Sequence, residues 1–193
     1  MGSIYAMVGI GFSFIYRVTT VLNFAQGEFL MLGGMVAISM TSIFGSSLLV
    51  ALIAGVLVVT VVGMLFHVGA INVLGKAEPV RMILITIAGS MFLQGVAYLI
   101  WGTDDYTLPS FIKTGSIDLF GASINSQVIP VFVAAIIITI ILKFFFDKTI
   151  WGKASTACSE SHEASMLMGI NVSRMGMISF AMSAGIGAIG GIL

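Results

Sequence analysis

A long run without charge constrains this chain more than any other feature. No Asp, Glu, Lys or Arg occurs between Phe29 and Gly75. A membrane-crossing helix needs about 20 apolar residues, because the hydrocarbon core is roughly 30 Å thick and each helical residue rises about 1.5 Å. The run is too long for one crossing and suits two, with the turn at Phe44-Gly45-Ser46-Ser47. We therefore expect a chain that crosses a membrane repeatedly.

Further uncharged segments predict the remaining crossings. Because these runs are continuously apolar, they fit helices better than barrel strands, which alternate apolar and polar residues. The expected helices cover 28–44, 48–66, 82–103, 128–142 and 175–193, while the apolar segment 2–16 is short for a full crossing. The predicted fold is an all-α polytopic transmembrane helical bundle of about six membrane segments, with one domain over 1–193.

Both ends of the sequence lie within apolar segments. The first segment is short, and Leu193 ends a glycine-rich apolar helix that has no flanking charge. Charged and aromatic anchors normally flank a crossing helix. We therefore expect a fragment that is truncated at both ends.

Composition excludes several classes of protein. Charged residues make up 8% of the chain and hydrophobic residues 59%, whereas about 25% of a soluble domain is charged. A soluble enzyme and a disordered chain are therefore excluded. The net charge of zero leaves no basic surface for nucleic acid. With one cysteine and two distant histidines, we expect no disulfide, no metal site and no cofactor.

The basic residues predict the orientation of the bundle. The expected helices place seven of the eight Lys and Arg residues on one side and only Lys113 on the other. Cytoplasmic loops carry the excess of Lys and Arg in membrane proteins. Segments 17–27, 67–81 and 143–174 are therefore expected to be cytoplasmic, with Cys158 a free thiol in a reducing compartment.

Small residues recur every four positions on two of the expected helices. These positions are Gly33, Ala37, Thr41 and Gly45 on one helix, and Ser179, Ser183, Gly187 and Gly191 on the other. Small residues let the backbones of membrane helices approach closely. The two stripes predict packing within this chain or, alternatively, a seam against a second membrane subunit.

A polar stretch, Asn23-Phe24-Ala25-Gln26-Gly27-Glu28, lies between two apolar segments. It fits a loop at the membrane surface, where Gly27 breaks the chain and Glu28 favours the positive end of the next helix. It also fits a broken or re-entrant element inside the bundle. In that case Asn23, Gln26, Gly27 and Glu28 are candidates for a translocation path that guides a zwitterionic solute.

The segment 143–174 is the longest polar stretch of the chain. Residues 153–168 predict a short helix, because Ala157, Ser161, Ala164 and Met168 recur at helical spacing. Gly169 fits the position just past its C-terminus. This helix either lies on the membrane surface or docks a cytoplasmic partner.

Motifs for nucleotide hydrolysis and covalent catalysis are absent from the sequence. Gly75-Lys76 and Gly152-Lys153 resemble the end of a P-loop, but Ala follows each lysine and the upstream glycine is missing. The sequence contains no GxSxG and no HExxH. We expect a chain that is not an enzyme.

Three stretches resemble the permease subunits of branched-chain amino acid ABC importers, and the resemblance extends along nearly the whole chain. The matching residues are Gly2-Ser3-Ile4-Tyr5-Ala6, Ile15-Tyr16-Arg17 with the run from Val21 to Gly33, and the run from Gly152-Lys153-Ala154 through Glu163-Ala164 to Asn171.

The resemblance implies an assembly with energy supplied by other chains. Its expected partners are a second permease subunit, two cytoplasmic ATP-binding subunits, a periplasmic or extracellular solute-binding protein and the lipid bilayer of the inner membrane. The implied cargo is leucine, isoleucine or valine. ATPase coupling is implied for Gly152, Ala154, Ala157, Glu163, Ala164, Gly169 and Ile170.

Some positions depart from the family pattern. Thr156 stands where a basic residue is common, and Glu160-Ser161 stands where Gln or Asp is usually followed by Asn. Related permeases for urea and short-chain amides share the architecture but tend to have Met at the position of Phe24 and His at that of Gln26. They remain an alternative, as does a secondary transporter or channel that works without ATP.

Overall fold

The computed structural model describes residues 2–45, 47–74, 79–108, 116–119, 122–125 and 128–193. The first half contains α1 (Gly2–Thr19), α2 (Gln26–Phe44), α3 (Leu48–Phe66), a π-helical turn (His67–Ile71), α4 (Asn72–Leu74) and α5 (Pro79–Trp101). The second half contains β1 (Ser116–Leu119), β2 (Ala122–Asn125), α6 (Val128–Lys148), α7 (Ile150–Glu160), α8 (His162–Leu167) and α9 (Val172–Ile192).

The helices confirm the predicted all-α polytopic fold. Within the described residues, four helical segments are long and apolar enough to cross a membrane: Leu48–Ile71, Val80–Trp101, Val128–Lys148 and Val172–Ile192. The predicted turn between α2 and α3 is also observed, because α2 ends where Gly45 takes a left-handed φ of 57°. Glycine adopts this conformation without the steric penalty that a Cβ would add.

A short hairpin adds to this bundle between α5 and α6. β1 pairs antiparallel with β2, and Ser116 lies opposite Asn125. The hairpin lies within the connection 103–126, which the charge pattern predicts to face away from the cytoplasm.

α9 forms the centre of the bundle and packs against α1, α2 and α3. A Cβ atom on Gly33 would lie 2.5 Å from the Cα of Ala188, and one on Gly191 would overlap the carbonyl of Leu30. Only glycine therefore permits this approach of α2 to α9. The stripe positions Gly33 and Gly191 thus serve packing within this chain, as the first of the two interpretations predicts.

The ends of several helices gather at one end of the molecule, which we call the basic end. There Ser173 Oγ donates a hydrogen bond to Asn72 Oδ1 over 2.6 Å, and the Arg17 guanidinium lies 5.6 Å from the ring centre of Phe146. The end of α1, the segment after α3 and the start of α9 therefore meet at one side, as the charge pattern predicts. Lys76, which belongs to the same predicted side, lies outside the described residues.

Candidate functional site

The connection between α1 and α2 turns back into the bundle instead of running along its surface. α1 ends where Thr20 takes a positive φ of 56°, which is uncommon for a β-branched residue. The Thr20 amide still bonds to the Tyr16 carbonyl over 2.8 Å. Further along, Thr86 Oγ1 of α5 donates to the Leu22 carbonyl over 3.0 Å. The irregular backbone is thus held by a side chain of a neighbouring helix, as non-helical backbone inside a membrane requires.

Gln26 starts α2 deep inside the bundle. Its Nε2 donates to the Ser183 carbonyl over 3.2 Å, and Ser183 Oγ donates to its Oε1 over 2.7 Å. Ser183 lies in the middle of α9. Gly11, in the middle of α1, passes so close that a Cβ there would lie 2.6 Å from Gln26 Nε2. α2 therefore begins at mid-height of the helices around it.

Asn23 is buried just before this helix start, with 1% of its surface exposed. Its Oδ1 accepts the Ala25 amide over 3.1 Å, which fixes the turn into α2. Its Nδ2 has no hydrogen-bond partner within the part of the chain that the structure describes. An unpaired amide donor in such surroundings is costly and favours a polar ligand or water beside it.

Glu28 lies in the first turn of α2 and is buried against α5. Its Oε1 accepts hydrogen bonds from Ser90 Oγ over 2.9 Å and from Gln94 Nε2 over 2.7 Å. Both donors lie near the middle of α5. The positive end of the α2 dipole also favours the negative charge of the carboxylate. Glu28 is thus an acidic side chain at membrane depth with two specific donors.

These contacts decide between the two interpretations of the polar stretch. A loop at the membrane surface would leave Asn23, Gln26 and Glu28 in water, but all three are buried. The segment is a broken helix start inside the bundle, and only Gly27 of the four candidates is exposed. No pattern in the sequence relates the partners Ser90, Gln94 and Ser183 to this stretch, since their proximity arises only from the tertiary fold.

The segment after α6 differs from the single helix predicted over 153–168. The prediction is wrong at Ser161, where φ of −157° and ψ of 116° interrupt the helix. Ser161 Oγ accepts the Ala164 amide over 3.2 Å and so caps α8. Thr149 caps α7 and Asn171 caps α9 in the same way. Each of these side chains satisfies an amide that a helix start leaves unpaired.

The seven coupling candidates do not form one surface. Gly152 is buried, and a Cβ there would overlap the Phe145 carbonyl, so this glycine permits the tight passage from α6 to α7. Ala154 and Ile170 pack against the core cluster around Cys158, and Ala157 is half-buried. Glu163, Ala164 and Gly169 are exposed on and after α8.

Gly169 ends α8 in a Schellman motif. Its φ is 82°, its amide donates to the Met166 carbonyl over 3.0 Å, and the Ile170 amide donates to the Ser165 carbonyl over 3.0 Å. This confirms the predicted position of Gly169 just past the helix end.

An apolar tip projects beside Gly169. Leu167 is 89% exposed and Met168 is 82% exposed. We call Met166, Leu167 and Met168 the α8 tip. An exposed apolar cluster next to polar residues is typical of a protein interaction surface. Of these residues, the helical spacing identified only Met168, although two adjacent large apolar side chains before a glycine in a polar loop are a detectable signal.

The buried face of α7 carries Cys158. Its thiol is free and buried beside Phe14, Val18 and Met175. Burial raises the pKa of the Cys158 thiol, and a hydrogen bond with Ser165 partly offsets this rise. The thiol is therefore protonated at neutral pH and serves packing between α7 and the bundle.

Comparison with known proteins assigns the chain to a family. The family model described as the permease component of the branched-chain amino acid transport system matches residues 1–193. The chain belongs to this family. The permease is 29% identical to the high-affinity branched-chain amino acid transport permease LivH of Salmonella typhimurium, over 100% of this chain and 67% of that protein.

Two further relatives have the same kind of name. The permease is 28% identical to LivH of Escherichia coli K12, and it is 25% identical to BraD of Pseudomonas aeruginosa. Both matches cover 100% of this chain and 67% of the relative. No solved structure matches the permease. It is therefore a multi-pass membrane transport subunit, with the re-entrant start of α2 as its candidate functional site.

Proposed function

We propose that the permease carries leucine, isoleucine or valine across the inner membrane as part of an ABC importer. The relatives named above are branched-chain amino acid transport permeases, which supports this solute class. The observation that carries the proposal is the buried carboxylate of Glu28 at the re-entrant start of α2. Ionisable side chains at membrane depth are expensive, and they typically mark a solute or ion pathway.

The chemistry of the α2 start suits a zwitterionic amino acid. The unpaired Asn23 Nδ2 and the α2 dipole offer favourable contacts for a solute carboxylate, while Glu28 offers one for the ammonium group. Gln94 completes this arrangement from α5, where its side chain is exposed on the bundle surface. Because an exposed amide at membrane depth is unfavourable in lipid, a second permease subunit is the expected cover for this surface.

Energy for transport comes from two ATP-binding subunits that dock at the basic end, which is the cytoplasmic side. The α8 tip, together with Glu163, Ala164 and Gly169, provides the exposed surface for docking. α9 begins at Val172, directly after this surface, and its middle holds Gln26 through Ser183. A tilt of α8 is therefore transmitted along α9 to Gln26 and the candidate translocation path. Gly152, Ala154, Ala157 and Ile170 hold the segment against the bundle.

Solute uptake by the complete importer tests the proposal. The full-length permease is reconstituted into liposomes with its second permease, ATP-binding subunits and solute-binding protein. We expect uptake of labelled leucine that requires ATP and is inhibited by isoleucine and valine. Uptake without ATP would assign a secondary transporter or channel. ATP-dependent uptake inhibited by urea or acetamide, and not by valine, would assign the amide branch.

Docking at the α8 tip has a separate test. Leu167→Ser removes an exposed apolar side chain, and we expect loss of the ATP-binding subunits on co-purification. Leu99→Ser is the matched control, because Leu99 is 84% exposed on α5, away from the basic end. Equal retention of the ATP-binding subunits by both variants would contradict docking at α8.

A further inference from the structure

A groove lies on the surface of the bundle between α1 and α6, away from the α2 start. Three cavities follow each other along the groove between these helices. The first, at the basic end, has a volume of about 450 Å³ and is lined by Arg17, Phe146, Asp147, Lys153 and Thr156. It shares Arg17 and Phe146 with the second cavity, so the two are continuous.

The second and third cavities extend this opening across the apolar surface of the bundle. The second has a volume of about 390 Å³, and the third has a volume of about 270 Å³ and shares Ala6 and Ile10 with it. The lining runs along α6 from Phe146 to Phe132, which corresponds to about 21 Å of helix. That length exceeds half of the hydrocarbon thickness, so an acyl chain of one leaflet fits along the groove.

The groove is open because small residues line its α1 side. Ala6, Gly9 and Ser13 face it together with Ile10 and Phe14. A Cβ on Gly9 would meet no atom of the described residues within 4 Å. The resulting channel is apolar along most of its length, with Ser13 and Thr139 as its polar residues there, and its charged side chains lie at the basic end.

Neighbouring residues place the polar end of the groove at the membrane surface. Ile150 and Trp151 begin α7 and are 85% and 50% exposed, respectively. Tryptophan and long apolar side chains at the start of a surface helix are typical of the boundary between headgroups and acyl chains. Lys153 follows on the same helix, and Arg17 lies in the last turn of α1. Both cations are thus at headgroup height.

The charges at this end are available to a ligand. Arg17 contacts the face of the Phe146 ring, and neither Arg17 nor Lys153 pairs with a carboxylate in the described parts of the chain. Asp147 lines the same cavity, so the three ionisable side chains sum to one positive charge. Thr156 adds a hydroxyl. This set complements a phosphodiester with a single negative charge, together with a neutral headgroup.

We propose that the α1–α6 groove binds one anionic phospholipid, with its phosphate at Arg17 and Lys153 and one acyl chain along Phe146, Ile10 and Phe132. The net positive charge at the basic end complements a lipid phosphate, and the mostly apolar lining beyond it suits an acyl chain. Both features favour a lipid over a helix of another subunit. The bound lipid tethers α7 to α1 at the basic end. This inference is independent of the solute and of ATP.

Native mass spectrometry of the full-length permease tests the proposal. The protein is purified in detergent and mixed with phosphatidylglycerol or with phosphatidylcholine of the same acyl chains. We expect one retained phosphatidylglycerol, favoured over phosphatidylcholine by roughly tenfold or more, as two basic residues contribute to binding of anionic lipid. Equal retention of the two lipids would overturn the proposal.

Two variants separate the headgroup site from the groove. The double variant Arg17→Gln/Lys153→Gln should abolish the preference for phosphatidylglycerol, whereas Arg81→Gln, a cation at the same end outside the groove, should retain it. Gly9→Phe fills the groove and should displace the lipid. Gly95→Phe is its control, because a Cβ on Gly95 of α5 also meets no atom within 4 Å. Both phenylalanine variants should unfold at the same temperature as the unmodified permease.

Other occupants have distinct outcomes. Displacement of the lipid by millimolar inorganic phosphate, with no effect of Gly9→Phe, would assign a site for a phosphate ion and overturn the lipid proposal. Loss of assembly with the second permease in Gly9→Phe, with lipid retention unchanged, would assign the groove to a protein helix and also overturn it.

Discussion

Gln26 and Ser183 exchange two hydrogen bonds across 157 positions of the chain. Each residue donates to the other, and both are buried. The pair joins the re-entrant start of α2 to the middle of α9, the helix that follows the proposed ATPase docking segment. Any displacement of α9 therefore acts on the α2 start through this pair.

Removing the Ser183 hydroxyl should destabilise the permease. Ser183→Ala leaves Gln26 Oε1 without the donor that now satisfies it, and an unsatisfied buried acceptor costs about 1–3 kcal/mol. Ser179→Ala is the matched control, because Ser179 is equally buried one turn away and, among the described residues, bonds only to the Met175 carbonyl of its own helix. Thermal unfolding in detergent should show the larger loss for Ser183→Ala. Equal losses would mean that the pair adds nothing beyond the intrahelical bond.

Neutralising Glu28 should impair transport more than folding. Glu28→Gln keeps an oxygen that accepts from Ser90 and Gln94 but removes the charge proposed to meet the solute ammonium. ATP-driven leucine uptake should fall about tenfold or more, since hydrogen bonds to charged groups contribute about 1.5–3 kcal/mol. Glu160→Gln, at an exposed carboxylate of α7, should leave uptake unchanged. If Glu28→Gln lowered the unfolding temperature enough to account for the whole loss of uptake, the role of Glu28 would be structural only.

Hydropathy and glycine position predict the helices of this chain well. The uncharged run from Phe29 and the glycine at position 45 predict α2 and α3, because lipid selects apolar length and glycine relieves a left-handed turn, although α2 begins earlier, at Gln26. The break at Ser161 was also detectable, since serine followed by Glu163 and Ala164 is typical of a helix start.

The contacts of the candidate site were not predictable from the chain alone. Gln94 is 66 positions from Glu28, and no local pattern relates a glutamine in α5 to a carboxylate in α2. The depth of Gln26 is set by the close packing of Gly11 and Ser183, which requires three helices in place. The sequence identifies polar residues beside an apolar span, but only tertiary packing determines whether those residues lie at the membrane surface or inside the bundle.

Gly169→Ala should weaken the coupling of ATP hydrolysis to transport. Alanine at a left-handed φ costs roughly 1–2 kcal/mol, and relaxing that strain opens the Schellman bonds that fix the α8 tip relative to Asn171 and α9. Fewer leucine molecules should be imported per ATP hydrolysed in proteoliposomes. Gly169→Asn should restore most of the ratio, because asparagine tolerates this conformation. If Gly169→Ala and Gly169→Asn imported the same number of leucine molecules per ATP hydrolysed, the backbone conformation at this position would be irrelevant to coupling.

Cys158 should react slowly with iodoacetamide and only at high pH. Burial raises the pKa of its thiol, and the thiolate is the reactive form. Because burial favours the protonated thiol, Cys158 stabilises the folded permease at pH values below the pKa of the thiol in the unfolded chain. This stabilisation is lost as the pH rises through the higher pKa of the thiol in the folded protein. The reference is Ser161→Cys in a Cys158→Ser background, since Ser161 is exposed and lies only three residues away at the same end. Mass spectrometry of alkylation against pH should give a midpoint for Cys158 above that of the reference, and addition of denaturant should bring the two together. Coincident midpoints in the native permease would mean that α7 does not keep this thiol buried against Phe14 and Met175.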